Sequence, residues 1–288
     1  MISVESASIT DKGKKRKANE DALILEDALG LYVVADGMGG HRAGHIASRL
    51  VVTTIGESVK KAIANDDSDQ TADFDETLSW EANLLLGSIR RSNQAVHEAS
   101  LANSSYRGMG STVSAVYFTE NTLIAANVGD SPIYLVRDGK IKLLSVPHTF
   151  LEEQKALNPE KAAKLGMEFR HVLTRAIGTE KFVKTDIYEI QCFREDIIVI
   201  SSDGLNDKVS PQEILELTRN NGPDAACKKL VKLANDRGGD DNITVIVLKV
   251  KLVNNSRHKI NRFLALVKRN SFNILTKLKY RRTAKCQI

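Results

Sequence analysis

Residues 31 to 40 constrain the fold more than any other stretch of the sequence. The apolar run from Leu31 to Ala35 has the length and β-branched content of a buried strand. It ends at Asp36, and the glycine-rich sequence GMGG follows, where the backbone is free to adopt unusual conformations. A carboxylate held beside such backbone suits a hard cation with oxygen ligands, although an ordinary Asp-Gly turn explains these residues equally well.

The same combination of apolar run and acidic residue recurs three times. A run over 197–202 ends at Asp203, Asp241 immediately precedes a run over 243–250, and Asp21 precedes a run over 22–25. Four predicted strands therefore bring acidic groups to their ends. Because packed carboxylates raise one another's pKa, such a cluster predicts bound divalent cations. Paired cations of this kind can activate water against a phosphorus centre.

Seven short motifs then follow one another in a fixed order. They are Arg16-x-x-Asn19-Glu20-Asp21, Ala35-Asp36-Gly37-Met38-Gly39-Gly40, Gly108-Met109-Gly110-Ser111-Thr112, Asn127-Val128-Gly129-Asp130-Ser131, His171-Val172-Leu173-Thr174-Arg175-Ala176-Ile177-Gly178, Ser202-Asp203-Gly204-Leu205 and Asp240-Asp241-Asn242-Ile243-Thr244. In these motifs, which span about residues 1 to 250, the chain resembles the bacterial metal-dependent protein phosphatases (PPM, or type 2C).

The resemblance implies an α+β fold, a four-layer α/β/β/α sandwich of two mainly antiparallel sheets flanked by helices. It also implies a phosphoric monoester hydrolase that acts on phosphoserine and phosphothreonine proteins and opposes a bacterial Ser/Thr kinase. In that family a hydroxide shared by two Mn²⁺ or Mg²⁺ ions attacks phosphorus in line, without a phosphoenzyme.

Position by position, the resemblance implies that Asp36 bridges the two cations and that the Gly37 carbonyl binds one of them. Asp203 and Asp241 would hold the other, and Arg16 would bind the substrate phosphate. The resemblance further implies that Glu20 and Asp21 form the acidic pair beside the cations, with Asp21 as a metal residue. Asp130 with Asp203 would hold a weaker third cation.

The chain departs from the family pattern at three positions. Met38 stands where many eukaryotic relatives carry a histidine proposed as general acid, and methionine cannot donate a proton. Metal-associated water or His41 would then supply the proton, and the choice stays open. Pro132 replaces the arginine that usually follows Asp130-Ser131, which removes one expected support of the third cation site. Pro147 replaces the aspartate of the usual Asp-His-Ser/Thr, and His148 beside it is interpreted as a structural histidine rather than a catalytic one.

Patterns of apolar residues predict the other elements. We expect strands near 2–10, 111–118, 122–127, 132–137, 141–144, 183–190 and 196–202, and helices over 43–64, 77–102, 211–219 and 223–235. Residues 147–170 resemble the variable segment, called the flap, beside the active site of the family. The predicted domains are residues 1–251, the catalytic domain, and residues 252–288, a basic amphipathic extension.

The charge of the chain is divided unevenly. Residues 252–288 hold ten Lys or Arg and no Asp or Glu, so a chain with net charge +5 carries −5 over its other residues. We expect this tail to dock on an anionic membrane or an acidic partner, or to cover an apolar patch of its own domain. Because the basic charge is confined to the tail, the domain has no electrostatic footprint for specific nucleic-acid binding.

Three scattered cysteines, with no apparent signal peptide or membrane-spanning run, favour a cytoplasmic protein that can lie peripherally on the inner face of the membrane. We expect a monomer. Two other function classes remain open: a non-catalytic phosphoprotein-binding scaffold of the same fold, which altered ligands would indicate, and a metal phosphodiesterase or nucleic-acid enzyme, which only the high pI suggests. Asp36, Asp203 and Asp241 are all intact.

Overall fold

The computed structural model describes residues 2–39, 43–64, 74–120 and 122–252. The strands are β1 (Ser3–Asp11), β2 (Asp21–Glu26), β3 (Leu31–Met38), β4 (Gly110–Ser111), β5 (Val113–Phe118), β6 (Thr122–Val128), β7 (Ile133–Arg137), β8 (Lys140–Leu143), β9 (Asp186–Gln191), β10 (Ile197–Ser201) and β11 (Ile243–Leu252). The helices are α1 (Gly44–Ile63), α2 (Trp80–Ala102), α3 (Phe150–Leu157), α4 (Pro159–Ala162), α5 (Asp203–Asn206), α6 (Pro211–Arg219) and α7 (Pro223–Asp236), with 3₁₀ turns at Ser104–Tyr106 and Met167–His171.

The strands form two antiparallel sheets. The first has the order β1-β11-β10-β7-β8, and the second has the order β2-β3-β5-β6-β9, with β4 paired to β3. The first strand of the chain therefore pairs with the last, which brings both ends of the catalytic region to one sheet.

Three apolar clusters divide the molecule into four layers. The middle cluster joins the sheets and includes Tyr32 and Val34 from β3 with Ile198 from β10 and Ile246 from β11. A second cluster packs α1 and α2 on the outer face of the β3 sheet, and a third packs α6 and α7 on the outer face of the β11 sheet. This arrangement confirms the predicted α/β/β/α sandwich.

Strand β3 shows why its sequence is continuously apolar. Successive side chains of a strand point to opposite faces, so Leu31 and Val33 pack towards the helices while Tyr32 and Val34 pack between the sheets. The strand does not end at Asp36, as the sequence suggested, because Gly37 and Met38 pair with Ser111 and Gly110 of β4.

Other boundaries differ from the predictions for local reasons. Helix α2 begins at Trp80 rather than residue 77, because the Ser79 side chain accepts a hydrogen bond from the Ala82 N–H and caps the helix. Strand β9 begins at Asp186, where its pairing with β6 begins. The short helix α5, which starts at Asp203, was not predicted.

The flap contains α3, α4 and the second 3₁₀ turn, and its two ends meet. Thr149 and Leu173 form an isolated β-bridge, and the Thr174 N–H donates to the His148 carbonyl at 2.9 Å. The two ends of the flap therefore lie together beside the sheets.

Within the described ranges, no helix combines the length and apolar character needed to cross a bilayer. The first compact unit of the chain runs from Met1 to Val253. The predicted tail lies outside the described residues, apart from Leu252, which ends β11. The boundary after residue 251 stays a prediction.

Candidate active site

Asp21 and Asp36 lie directly opposite each other on β2 and β3. The Asp21 Oδ2 atom accepts hydrogen bonds from the Ser202 hydroxyl at 2.8 Å and the Thr244 hydroxyl at 2.6 Å. Because Ser202 follows β10 and Thr244 lies at the start of β11, these bonds join one sheet to the other. The candidate site therefore lies where the ends of the two sheets converge.

The backbone of Asp36 is held on both sides by the motif around residue 111. Its N–H donates to the Thr112 hydroxyl at 3.0 Å, and its carbonyl accepts from the Thr112 N–H at 2.8 Å and the Ser111 hydroxyl at 3.0 Å. Ser111 and Thr112 of that motif thus fix the Asp36 backbone. This structural role accounts for the motif without giving it a direct part in the chemistry.

Glycines let Glu20, Gly37 and Gly44 approach one another closely. The Gly37 N–H donates to the Glu20 carbonyl at 3.2 Å. A Cβ at Gly37 would lie 2.1 Å from the Gly44 carbonyl oxygen, and one at Gly44 would lie 2.7 Å from both the Gly37 oxygen and the Glu20 Oε2 atom. Backbone and carboxylate oxygens are thereby crowded at the start of α1.

Asp203 and Asp241 come from the first sheet. Asp203 begins α5, and a Cβ at the neighbouring Gly204 would lie 2.1 Å from the Asn242 carbonyl oxygen. Asn242 also holds the N-terminal loop, because its side chain accepts from the Glu20 N–H at 2.8 Å and donates to the Lys12 and Ala18 carbonyls at 2.9 Å. These contacts bring the loop before β2 against the loop before β11.

Arg16 lies at the rim of this arrangement. Its Nη2 atom is 2.6 Å from the Asp241 Oδ2 atom. The loop that carries Arg16 is fixed by hydrogen bonds from the Lys14 and Lys15 N–H groups to the Gly239 carbonyl, at 2.8 and 3.1 Å. The Lys15 ammonium turns instead to Asp240, at 2.6 Å. The structure therefore separates Arg16 from Lys15, a distinction that the basic run alone left uncertain.

A cleft of about 760 Å³ collects these groups. Its acidic lining consists of Glu20, Asp36, Asp130, Asp203, Asp207 and Asp241, and it also includes Arg16, Gly37 and Met38. Of the predicted site residues that the structure describes, only Asp21 is not part of this lining; it is buried beside Asp36 on the neighbouring strand. A larger cavity of about 1020 Å³ follows α2 and contains none of the predicted site residues, so its size does not mark the reactive site.

The electrostatics of the cleft favour bound cations. Burial, followed by the charges of Asp21, Asp203, Asp241 and Asp130, raises the pKa of Asp36 well above its ordinary value. Burial also raises the pKa of Asp21 and of Asp130 to about 7. In the described part of the chain, the buried Oδ1 atoms of Asp21 and Asp203 have no hydrogen-bond partner. Buried carboxylates with unsatisfied oxygens fit hard divalent ions such as Mn²⁺ or Mg²⁺.

Asp130 is supported without the missing arginine. The neighbouring Ser131 hydroxyl is hydrogen-bonded to the Thr112 hydroxyl at 2.8 Å, and the Ser131 carbonyl accepts from the Ser114 hydroxyl at 2.6 Å. One potential ligand atom from each of Asp130, Asp203 and His171 lies within 4.8 Å of the other two.

His171 and Asp207 were not predicted as site residues. His171 lies 3.6 Å from Asp203 and 3.4 Å from Asp207, and the nearby Asp203 carboxylate raises the pKa of its ring. Arg170 pairs with Asp207 at 2.8 Å. The only sequence signals were the position of His171 at the head of its motif and the four-residue spacing of Asp207 from Asp203 on a helix. His41 lies outside the described residues.

These pKa shifts predict how stability depends on pH. Asp21 and Asp130 have pKa values near 7 in the folded chain, above the ordinary value of 3.8, so the folded state binds more protons than the unfolded state between these values. In excess chelator, the free energy of unfolding should fall as the pH rises from about 4 to about 7, by up to about 4 kcal/mol for each of the two groups, since one pKa unit corresponds to about 1.4 kcal/mol. Urea unfolding of the full chain measures this.

With excess Mn²⁺ the same experiment serves as its own control. Bound cations stabilise the ionised carboxylates, so the fall in stability with rising pH should largely disappear. A chelated protein whose stability did not change over this pH range would contradict the raised pKa values.

Known proteins share both the sequence and the fold. The family model of protein phosphatase 2C matches residues 12–233. A putative protein phosphatase 2C-type from Streptococcus pyogenes is 36% identical over 246 residues, which cover 83% of this chain and 94% of that protein. The crystal structure of the Mycobacterium tuberculosis serine/threonine phosphatase PstP/Ppp aligns with a TM-score of 0.74 at 29% identity, over 88% of this chain and 100% of that chain.

A second solved structure bears on the cations. The catalytic domain of the serine threonine protein phosphatase PstP in complex with 2 manganese ions aligns with a TM-score of 0.73 at 29% identity, over 88% of this chain and 100% of that chain. Members of this family therefore bind Mn²⁺, and their substrates are phosphoproteins. The matches over most of the sequence confirm the predicted resemblance: the chain belongs to the protein phosphatase 2C (PPM) family of bacterial metal-dependent serine/threonine protein phosphatases.

Proposed function

We propose that this chain hydrolyses phosphoserine and phosphothreonine in proteins with two Mn²⁺ or Mg²⁺ ions in the acidic cleft. Asp36 and the Gly37 carbonyl would hold one cation, Asp36, Asp203 and Asp241 the other, and Asp130 with Asp203 a weaker third. One observation carries this proposal: carboxylates at the strand ends of both sheets converge in one cleft beside Arg16.

When bound, such cations act as Lewis acids and lower the pKa of a coordinated water, so that a nucleophile is available at neutral pH. The chain supplies the rest. Asp36 is fixed by its backbone bonds, so its carboxylate is placed before any ion arrives. Asp21 lies beside Asp36 on the neighbouring strand, where its Oδ1 atom, which has no hydrogen-bond partner, can accept from a water of the site. Arg16 can turn from Asp241 to the phosphate of the substrate.

The competing functions fit the cleft less well. A non-catalytic scaffold would not need Asp36, Asp203 and Asp241 together in one cleft. A nucleic-acid enzyme would bring a polyanion to a cleft lined by six acidic residues.

The counterpart of this phosphatase is a Ser/Thr kinase, as for the family. We propose a cytoplasmic chain whose basic tail docks on an anionic surface. Sedimentation with anionic vesicles, compared between the full chain and a chain ending at Lys251, tests the tail.

Arg16→Ala should mainly weaken substrate binding. Loss of a hydrogen-bonded charge pair with phosphate costs about 1.5–3 kcal/mol, so KM for a phosphothreonine peptide should rise roughly tenfold to a hundredfold, with a smaller change in kcat. Steady-state kinetics at saturating Mn²⁺ measure both constants.

Lys15→Ala and Lys17→Ala are the matched controls, because Lys15 pairs with Asp240 and Lys17 lines the same cleft. Both should change KM only slightly. An equal rise in KM for Lys15→Ala would show that Arg16 is not the phosphate-binding residue.

A further inference from the structure

His148 is buried, with 2% of its surface exposed, and it lies at the point where the flap meets the sheets. The Gly129 N–H donates to its Nδ1 atom at 3.0 Å, and its own backbone N–H donates to the Gly129 carbonyl at 2.9 Å. Both backbone polar groups of Gly129 are therefore bonded to a single residue.

These bonds determine which ring nitrogen carries the proton. An Nδ1 atom that accepts from Gly129 has no proton, so the neutral ring must carry its proton on Nε2, which lies 3.2 Å from Asp186 Oδ2. The Arg175 Nη1 atom is 3.1 Å from both Nε2 and Asp186 Oδ1. Because a guanidinium only donates, Arg175 alone would favour the opposite tautomer. Asp186 accepts from both groups and thereby selects the tautomer that Gly129 requires.

The backbone conformation of Gly129 in turn determines the position of Asp130. Its φ angle is +103°, and a Cβ there would lie 2.6 Å from the Thr112 Cγ2 atom. The residue thus has a left-handed conformation that its surroundings permit only to glycine. Asp130 follows immediately and points into the cleft, near Asp203.

We infer that His148 is a positioning residue for Asp130: held as the Nε2–H tautomer by Asp186, it fixes the Gly129 backbone and so places the Asp130 carboxylate at the weaker third cation. This role supplies, from the other side of the turn, support for Asp130 where Pro132 replaces the usual arginine. The inference rests on the proposed function, because it assumes cations in the cleft.

Two substitutions at His148 separate its two ring contacts. In His148→Asn, the amide oxygen can take the place of Nδ1 and accept from the Gly129 N–H. In His148→Gln, the longer side chain reaches towards Asp186 but leaves the buried Gly129 N–H without its acceptor. Calorimetric titration of the full chain with Mn²⁺ should resolve a tight pair of sites and a weaker site.

We expect His148→Gln to lower the Mn²⁺ affinity of the weaker site roughly tenfold or more, as happens when a contact that orients a metal ligand is lost. The tight pair should be unchanged. Asp130→Asn should lower the same affinity, whereas His148→Asn should stay within a few-fold of the original protein. If His148→Gln does not fold, Asp186→Ala, which removes the group that selects the tautomer, should show the same selective loss.

Thermal unfolding of each variant shows whether a lost affinity reflects a lost fold. Equal weakening of all sites, loss of the weaker site in His148→Asn, or an unchanged weaker site in a folded His148→Gln or Asp186→Ala would overturn the inference. A chain without mutations that bound only the tight pair would overturn it too. Absence of the tight pair from that chain would instead count against the proposed function.

Discussion

Replacement of Asp36 by Asn is expected to lower kcat/KM for a phosphothreonine peptide by about a thousandfold or more. Cation chemistry of this kind contributes several kcal/mol to the rate, and each 1.4 kcal/mol corresponds to about a factor of ten. The other carboxylates all act on Asp36, because the charges of Asp21, Asp203, Asp241 and Asp130 all raise its pKa. An amide has nearly the same volume but no charge with which to hold two cations.

The same substitution should stabilise the chelated protein. At neutral pH it removes a buried group whose ionised form is opposed by burial and by neighbouring charges. A lost activity that came with a higher melting temperature in chelator would therefore locate the effect in the site and not in the fold. Asp130→Asn is the matched control and should reduce turnover less. Tight binding of both cations by Asp36→Asn in calorimetry would contradict the assigned bridge.

Gly44→Ala is the second change with a large expected effect. The added methyl group would lie 2.7 Å from the Gly37 carbonyl oxygen and from the Glu20 carboxylate, so the backbone must move where the first cation would bind. We expect Mn²⁺ affinity and kcat/KM each to fall by roughly ten- to a hundredfold, the range seen when groups that orient metal ligands are changed. Calorimetry and peptide kinetics measure these two quantities.

Gly87→Ala provides the control within another helix. A Cβ at Gly87 of α2 would meet no heavy atom within 4 Å, so it should leave activity unchanged and raise the free energy of unfolding by about 0.5–1 kcal/mol. If Gly44→Ala left the Mn²⁺ affinity unchanged, the Gly37 carbonyl would not be a cation ligand.

The sequence predicts most of the sandwich because each layer leaves a local pattern. The run in β3 is apolar at every position since both its faces are buried, and the proline-led helices α6 and α7 start where proline is favoured. The extension of β3 to Met38 has no such signal, because it depends on pairing with a two-residue strand from far along the chain. The pattern of apolar residues along the chain cannot reveal long-range pairing of this kind.

The candidate site likewise contains some residues that the sequence predicts and others that it does not. Asp36, Asp203 and Asp241 were predictable because each adjoins a strand run or the family motif around it. His171 and Asp207 line the cleft, where Arg170 and His171 pair with Asp207 at the end of α5. That contact arises from tertiary structure, and the position of His171 at the head of its motif does not by itself indicate it. The role of Asn242 in joining two loops was missed for the same reason.

The most direct test of the central claim is the release of inorganic phosphate from a phosphothreonine peptide by the purified full chain, in Mn²⁺ and in excess chelator. If the acidic cleft works through bound cations, turnover should disappear in chelator and return when Mn²⁺ is added in excess. Reagents that modify cysteine should not affect it, since Cys192 and Cys227 are buried and neither lines the cleft. Full turnover in excess chelator would contradict the account.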